Sequence, residues 1–411
     1  MMGKLWEKGS RLKQMRKSLA FLWRVFLRKR HNDHNDYLQI LSWSLHMDVM
    51  PKWVDVIVVP LFSLFLAAFL SALLILAIGE SPMAALKLMI EGTLFRSAGW
   101  GYMLYYTTNF IFTGLAVSVA FHAALFNIGG EGQAMIGGLG VALVCLFIPW
   151  PHWTLAIIGA SIGAAIFGMI WAGLPAYLQA KRGSHIVITT IMFNFIAAGV
   201  LNFFLVDVLK PTGSMDPASA NFPANTHLPT FQDLAGVIGF EKAFRSAPAN
   251  VSFFIALFAC VAVWYLIWRS SLGYEIRALG KSGPAARYAG VRPVKIIMIT
   301  MMISGALCGM MAINTTQGES ERLILNFTEG AGFIGIAVAL MGRSHPLGVL
   351  LAALLFGFLY QGGAELALWT KIPRELIVVI QALVILFTGA LSLMVRAPLE
   401  RFFISMQRVN E

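Results

Sequence analysis

The chain has 411 residues, is 58% hydrophobic and 12% charged, and carries a net charge of +11 with a mean hydropathy of +0.73. Soluble domains keep about a quarter of their residues charged. With half that share, most of this chain is built for lipid rather than water, which excludes a soluble enzyme and leaves no nucleic acid expected as a partner.

Residues 1–53 form a basic arm with ten Lys and Arg in the first thirty positions. It reads as a topology determinant and solvated tail at an anionic lipid surface. Its "HNDHND" (31–36) holds two His and two Asp, but nothing in the sequence fixes a metal geometry there.

A transmembrane domain follows over 54–396, and a short tail over 397–411 ends the chain. Its apolar runs exceed the ~18–20 residues a helix needs to cross ~30 Å of hydrocarbon. They are continuous rather than alternating with period two, so they are helices and not barrel strands. The first run starts too late and runs too long for a cleaved signal segment, so it reads as a retained span. Spans are predicted at 54–79, 101–121, 132–150, 153–180, 184–209, 251–269, 294–312, 328–342, 346–366 and 376–396. The fold class is an all-α integral membrane protein of about ten helices with broken or re-entrant segments. "SPMAALKLMIEGTLFRSA" (81–98) has mixed polarity and reads as an amphipathic or re-entrant helix. The three cysteines, Cys145, Cys260 and Cys308, lie in separate apolar segments and imply packing, not a disulfide framework.

"FNIGGEGQAMIGG" (126–138) interrupts the apolar pattern with Asn127, Glu131, Gln133 and five glycines. A charge at the bilayer centre costs at least ~2.5–3.5 kcal/mol on insertion scales. Such a segment survives only against protein or a water-filled path, and broken helices commonly build transport sites. Glu131 is suited to accept backbone N–H groups as an internal cap. The same residues equally fit a buried network that only stabilises the break. "TTIMFNFIAAGVLNFF" (189–204) supplies a second polar stripe, Thr190, Asn194 and Asn202, amid phenylalanines. These fit a pathway lining or interhelical hydrogen bonds worth ~0.6 kcal/mol each. Gly159/Gly163 and Gly305/Gly309 have the spacing of close helix packing. "GFIGIAVALMG" (332–342) repeats the glycine theme as a candidate counterpart of 126–138.

Residues 210–250 hold five prolines and read as an irregular loop with a short helix. Residues 270–293, "SSLGYEIRALGKSGPAARYAGVRP", are polar and have helix grammar. Ser282 or Gly283 suits an N-cap, Pro284 the first turn and Gly290 the C′ position. A one- or two-turn helix "PAARYA" results, presenting Arg287 and Tyr288. This fits either a knob gripped by a soluble motor or a charged loop that sets topology. "LGKS" (279–282) is not a phosphate-binding loop, because Glu275 stands where that motif needs Gly. Twenty-three of the 31 Lys and Arg fall on one side if the N-terminus is cytoplasmic. The positive-inside rule then places both termini and 270–293 in the cytoplasm, and 210–250 outside.

Four stretches carry a family resemblance: "GLAVSVAFHAALFNIGGEGQAMIGG" (114–138), "AKRGSHIVITTIMFNFIA" (180–197), "GYEIRALGKSGPAARYAGV" (273–291) and "GFIGIAVALMGRSHPLGVLLAALLFG" (332–357). In this order the chain resembles, over roughly 54–396, the permease subunits of ABC importers for nucleosides and simple sugars. These share a larger group with ribose and branched-chain amino acid importers. The resemblance implies a type II importer in a bacterial plasma (inner) membrane. It implies a second permease chain, often a paralogue, cytoplasmic ABC ATPases and a periplasmic or lipoprotein substrate-binding protein. No cofactor is implied for this chain; ATP and magnesium belong on the ATPase. The resemblance makes 273–291 the coupling loop, with Glu275, Arg277, Gly280, Pro284, Arg287, Tyr288 and Gly290 at the ATPase. The chain departs from many relatives with His122 for Arg, Ala124 for Gly, and Ser184-His185 without a following carboxylate. The rival function, an ion-driven secondary transporter or channel, needs a chain of intramembrane carboxylates, whereas the apolar segments offer Glu131, with Asp207 and Glu365 near span ends. An integral membrane enzyme ranks last, for want of an HExxH or paired-Asp motif.

Overall fold

A computed structural model describes residues 58–237, 239, 244–372 and 374–387. The basic arm and the C-terminal tail lie outside the described residues. The described residues from 63 to 387 belong to one compact unit. Among the described residues, regular structure is helical apart from two isolated bridges.

The helices are α1 (Val59–Ala77), α2 (Pro82–Ile90), α3 (Ser97–His122), α4 (Gly130–Phe147), α5 (Trp153–Arg182), α6 (Ile186–Phe203) and α7 (Phe231–Val237). They continue as α8 (Ser252–Arg269), α9 (Ser271–Lys281), α10 (Gly283–Tyr288), α11 (Pro293–Ala312), α12 (Ala331–Met341), α13 (Pro346–Trp369) and α14 (Arg374–Ile385). Seven of the described helices are long and apolar enough to cross a membrane. An eighth span arises if the pair Leu61–Ala77 and Pro82–Phe95, bent by 118°, counts as one. Its second arm covers Pro82–Phe95 of the mixed-polarity stretch 81–98, whose last residues begin α3. α12 is a shorter apolar helix, so the count of about ten depends on how broken spans are tallied.

Helix ends follow local chemistry. The His152 ring accepts from Thr154 N at 3.3 Å to cap α5, and Gly183 closes it at φ +70° behind Lys181 and Arg182. Pro293 and Pro346 occupy first turns, where the missing N–H costs nothing. Among the described residues, three helices widen into π-turns at their C-terminal ends: Glu91–Phe95 after α2, Phe204–Val208 after α6 and Ile313–Glu319 after α11.

α3 is the axis of the unit. Its membrane-length window is 83% buried, against 28% for the span beginning at Ile186, and it packs on α11, α12 and α13. α11 lies along α5, because Gly305 and Gly309 bring its backbone against Ala164, Gly168 and Ala172. A side chain there would strike backbone, so these glycines serve close packing. α5, α6 and α8 expose Ile170, Phe195 and Phe258, apolar faces suited to lipid or another chain. Residues 210–250 hold a 3₁₀ turn (Ala224–Thr226) and α7. Ser219 N donates to Leu323 O at 2.9 Å and Phe222 N to Glu321 O at 2.7 Å, which ties this segment to the stretch before α12.

Candidate functional site

The chain between α3 and α4 leaves helical geometry at Ala124, held at φ +56° where L residues are uncommon. This is a position where the resemblance implies Gly. The freed backbone is then satisfied by side chains. Asn127 Oδ1 accepts from Gly129 N at 2.9 Å and from Gln133 Nε2 at 3.1 Å. Its Nδ2 donates to Gln133 Oε1 at 3.0 Å and to Ser304 Oγ of α11 at 2.9 Å. Ser304 Oγ in turn donates to Ala116 O of α3 at 2.7 Å. From α6, Asn194 Oδ1 accepts from Gly132 N at 2.9 Å, and Asn194 Nδ2 donates to Ile128 O at 3.0 Å. One carboxamide thus replaces two backbone partners lost at the break.

Glu131 does not cap its own break. Its carboxylate crosses to the loop before α12, where Oε1 accepts from Thr328 Oγ1 at 2.5 Å and Gly330 N at 3.0 Å, and Oε2 from Gly332 N at 2.9 Å. Gly330 is the N-cap of α12 and sits at φ +79°. Glu131 therefore satisfies orphan N–H groups at a helix start, where an anion is favoured by the dipole. The starts of α4 and α12 abut so closely that a Cβ on Gly332 would meet the Gly130–Glu131 backbone. The glycine stretches 126–138 and 332–342 are thus spatial partners.

The six candidate pathway residues are not one cluster. Asn127, Glu131, Gln133 and Asn194 are buried in the network just described. Thr190 is buried beside Gly129 and bonds its own helix at Ile186 O, 2.8 Å. Asn202 lies on the exposed face of α6, away from them. Sequence reasoning missed Ser304 and Thr328, single hydroxyls in apolar or loop surroundings. The predicted span ends at 312, whereas the chain continues as a π-turn over 313–319 that is buried through Gly318. There Asn314 Nδ2 donates to Asn109 Oδ1 at 2.8 Å, and its Oδ1 accepts from Asn250 Nδ2 at 2.9 Å and Ser252 Oγ at 3.0 Å. The other apolar-segment acids are separate. Glu365 accepts from Arg96 at 2.6 Å, and Asp207 is exposed. No chain of carboxylates links them among the described residues.

α9 and α10 form the proposed coupling segment. Ser282 Oγ accepts from Ala285 N at 3.4 Å as N-cap, Pro284 lies in the first turn, and Gly290 follows at φ +85°. Buried Ile276 and Ala286 anchor the pair, while Tyr288 is 95% exposed beside exposed Arg287. Glu275 and Arg277 are half-buried on α9, and Arg277 Nε donates to Gly273 O at 3.3 Å. Gly280 lies directly on the His122–Ala123 backbone, the end of α3 where the first break begins. There the His122 ring meets Trp268 at 5.1 Å, Trp268 meets His345 at 5.0 Å, and His122 Nε2 is 3.0 Å from Ser344 O.

Seven apolar spans with hydrogen-bonded breaks packed between them are the build of a polytopic membrane protein. The family described as "Branched-chain amino acid transport system / permease component" matches residues 99–389, and the chain belongs to it. It is 33% identical to the guanosine ABC transporter permease protein NupP of Bacillus subtilis, over 83% of this chain and 95% of that one. It is 30% identical to the glucose ABC transporter permease protein TsgB13 of Haloferax volcanii, over 80% and 86%. It is also 30% identical to the nucleoside ABC transporter permease protein NupB of Lactococcus lactis, over 80% and 90%. No solved structure matches significantly. The chain is a permease subunit of an ABC importer.

Proposed function

We propose that this chain, in a bacterial plasma (inner) membrane with both termini cytoplasmic, forms the path for a nucleoside or simple sugar delivered by an external binding protein. A second permease chain, a paralogue, completes the path. ATP and magnesium act on a separate cytoplasmic ATPase, which grips α10 through Arg287 and Tyr288. Pro284 and Gly290 fix the ends of that helix, and Glu275, Arg277 and Gly280 seat α9 beneath it. The hydrogen-bonded breaks around Asn127, Glu131, Gln133, Thr190 and Asn194 stand beside the path and hold its moving helices in register, and Asn202 faces the neighbouring chain or lipid.

The observation that carries this reading is the seat of Gly280 on the end of α3. A push on α10 has a short mechanical route, through α9, to the break that follows the central helix. Replacing Arg287 by Glu together with Tyr288 by Ala should abolish ATP-dependent uptake and co-purification of the ATPase while the chain stays in the membrane. Normal uptake and normal co-purification would overturn the docking assignment.

A further inference from the structure

The polar groups at the breaks are already paired, so a solute finds few partners there. A different place offers them. A cavity of about 500 Å³ lies between Tyr106 of α3, Glu329 before α12, Tyr360 of α13 and Gln381 of α14, with Ala364 and Ile377 among its apolar walls. Small-molecule sites have about this volume and this mixture of apolar wall and few polar groups.

Its chemistry is selective. Tyr106 and Tyr360 have ring centroids 5.5 Å apart, and Phe110 backs Tyr360 edge-on at 5.0 Å. This aromatic wall suits the flat face of a base. The Glu329 carboxylate is exposed and has no hydrogen-bond or ion-pair partner among the described residues. It can accept from ribose hydroxyls or base N–H groups as a charge-assisted acceptor. Among the described residues no Lys or Arg lines the cavity, so there a phosphate would meet the Glu329 carboxylate.

Glu329 is also held in place. Its backbone lies at φ +46°, a conformation L side chains rarely adopt. The residues on either side, Thr328 and Gly330, both donate to the Glu131 carboxylate. The acid in the first break therefore acts as a positioning residue for the one beside the cavity.

We propose that this cavity is where the solute touches the membrane-embedded chain, and that it takes an uncharged nucleoside and refuses the phosphorylated form. The proposal rests on the importer reading above and narrows its solute. The test is the complete importer, with partner permease, ATPase and binding protein, in proteoliposomes supplied with tritiated nucleosides or glucose. Wild type should accumulate a nucleoside with ATP. Accumulation of no offered solute defeats the importer reading itself, and accumulation of glucose alone defeats the nucleoside assignment.

Given a competent wild type, Glu329→Gln and Tyr360→Leu should each lower nucleoside carried per ATP hydrolysed by about tenfold. ATP hydrolysis stimulated by the loaded binding protein should persist, which simple misfolding would not allow. Glu329→Asp, which tolerates the left-handed backbone, should restore most of the transport. Glu329 is exposed, so its variant decides the matter even if Tyr360→Leu fails to assemble. Unchanged transport per ATP in Glu329→Gln overturns the site. A second measurement uses Ala364→Cys, exposed in the cavity, since the three natural cysteines are buried. Its alkylation should be slowed by the transported nucleoside and not by its monophosphate. Equal protection by both, or by neither, overturns the charge selectivity.

Discussion

The two interruptions in this bundle are stabilised in opposite ways. The break after α3 is served by carboxamides: Asn127 and Gln133 from within it, and Asn194 from α6. The break before α12 has one carboxylate, Glu131, reaching across from the other break to three donors. A neutral network can lose a member and keep the rest. A single charge serving a helix start cannot, because removing it orphans every donor at once. The asymmetry ties the start of α12 to α4 through a single side chain.

The sharpest way to break that comparison is Glu131→Ala. It leaves the buried Gly332 N–H and Thr328 hydroxyl and the partly buried Gly330 N–H without their acceptor, and should cost roughly 3–5 kcal/mol. Thermal inactivation in detergent should shift strongly downward and membrane abundance should fall. Wild-type inactivation temperature in this variant would show that the three hydrogen bonds do not hold α12.

Next in size is Gly332→Ala. The added carbon meets the Gly130–Glu131 backbone rather than a flexible side chain, so the helix starts must separate, at about 1–3 kcal/mol. Gly283→Ala is the control, because nothing lies within 4 Å of the carbon it adds. Equal stability of the two variants would argue that α4 and α12 do not abut.

How far this arrangement could be read beforehand follows from what one sequence encodes. Ser282, Pro284 and Gly290 are local grammar, and the short helix forms where that grammar puts it. The glycines of 126–138 and 332–342 announce breaks for the same reason. Which break Glu131 serves is not local: its three donors are about two hundred residues away, and no periodicity points to them. Asn314 was hidden differently. The run 313–319 is polar, so it reads as a loop, yet a π-turn buries it because Asn109, Asn250 and Ser252 satisfy it from three other segments. Asn202 misleads in the reverse direction, since spacing of four and eight aligns it with Asn194 only until the helix drifts.

The smallest expected effect comes from comparing Asn194 with Asn202, two asparagines on one helix. Asn194→Leu removes the partners of buried Gly132 N and partly buried Ile128 O and should destabilise by about 1–3 kcal/mol. Asn202→Leu changes an exposed position and should stay within about 0.5 kcal/mol. Measuring transport and thermal inactivation together separates support from solute contact. If Asn194 only holds the break, its variant loses transport in step with stability, and lowering the assay temperature restores both. If Asn194 touches the solute, transport stays lost in the cold while the protein is intact. Transport lost in Asn202→Leu at unchanged stability would move the path to the exposed face of α6, where only another chain could close it.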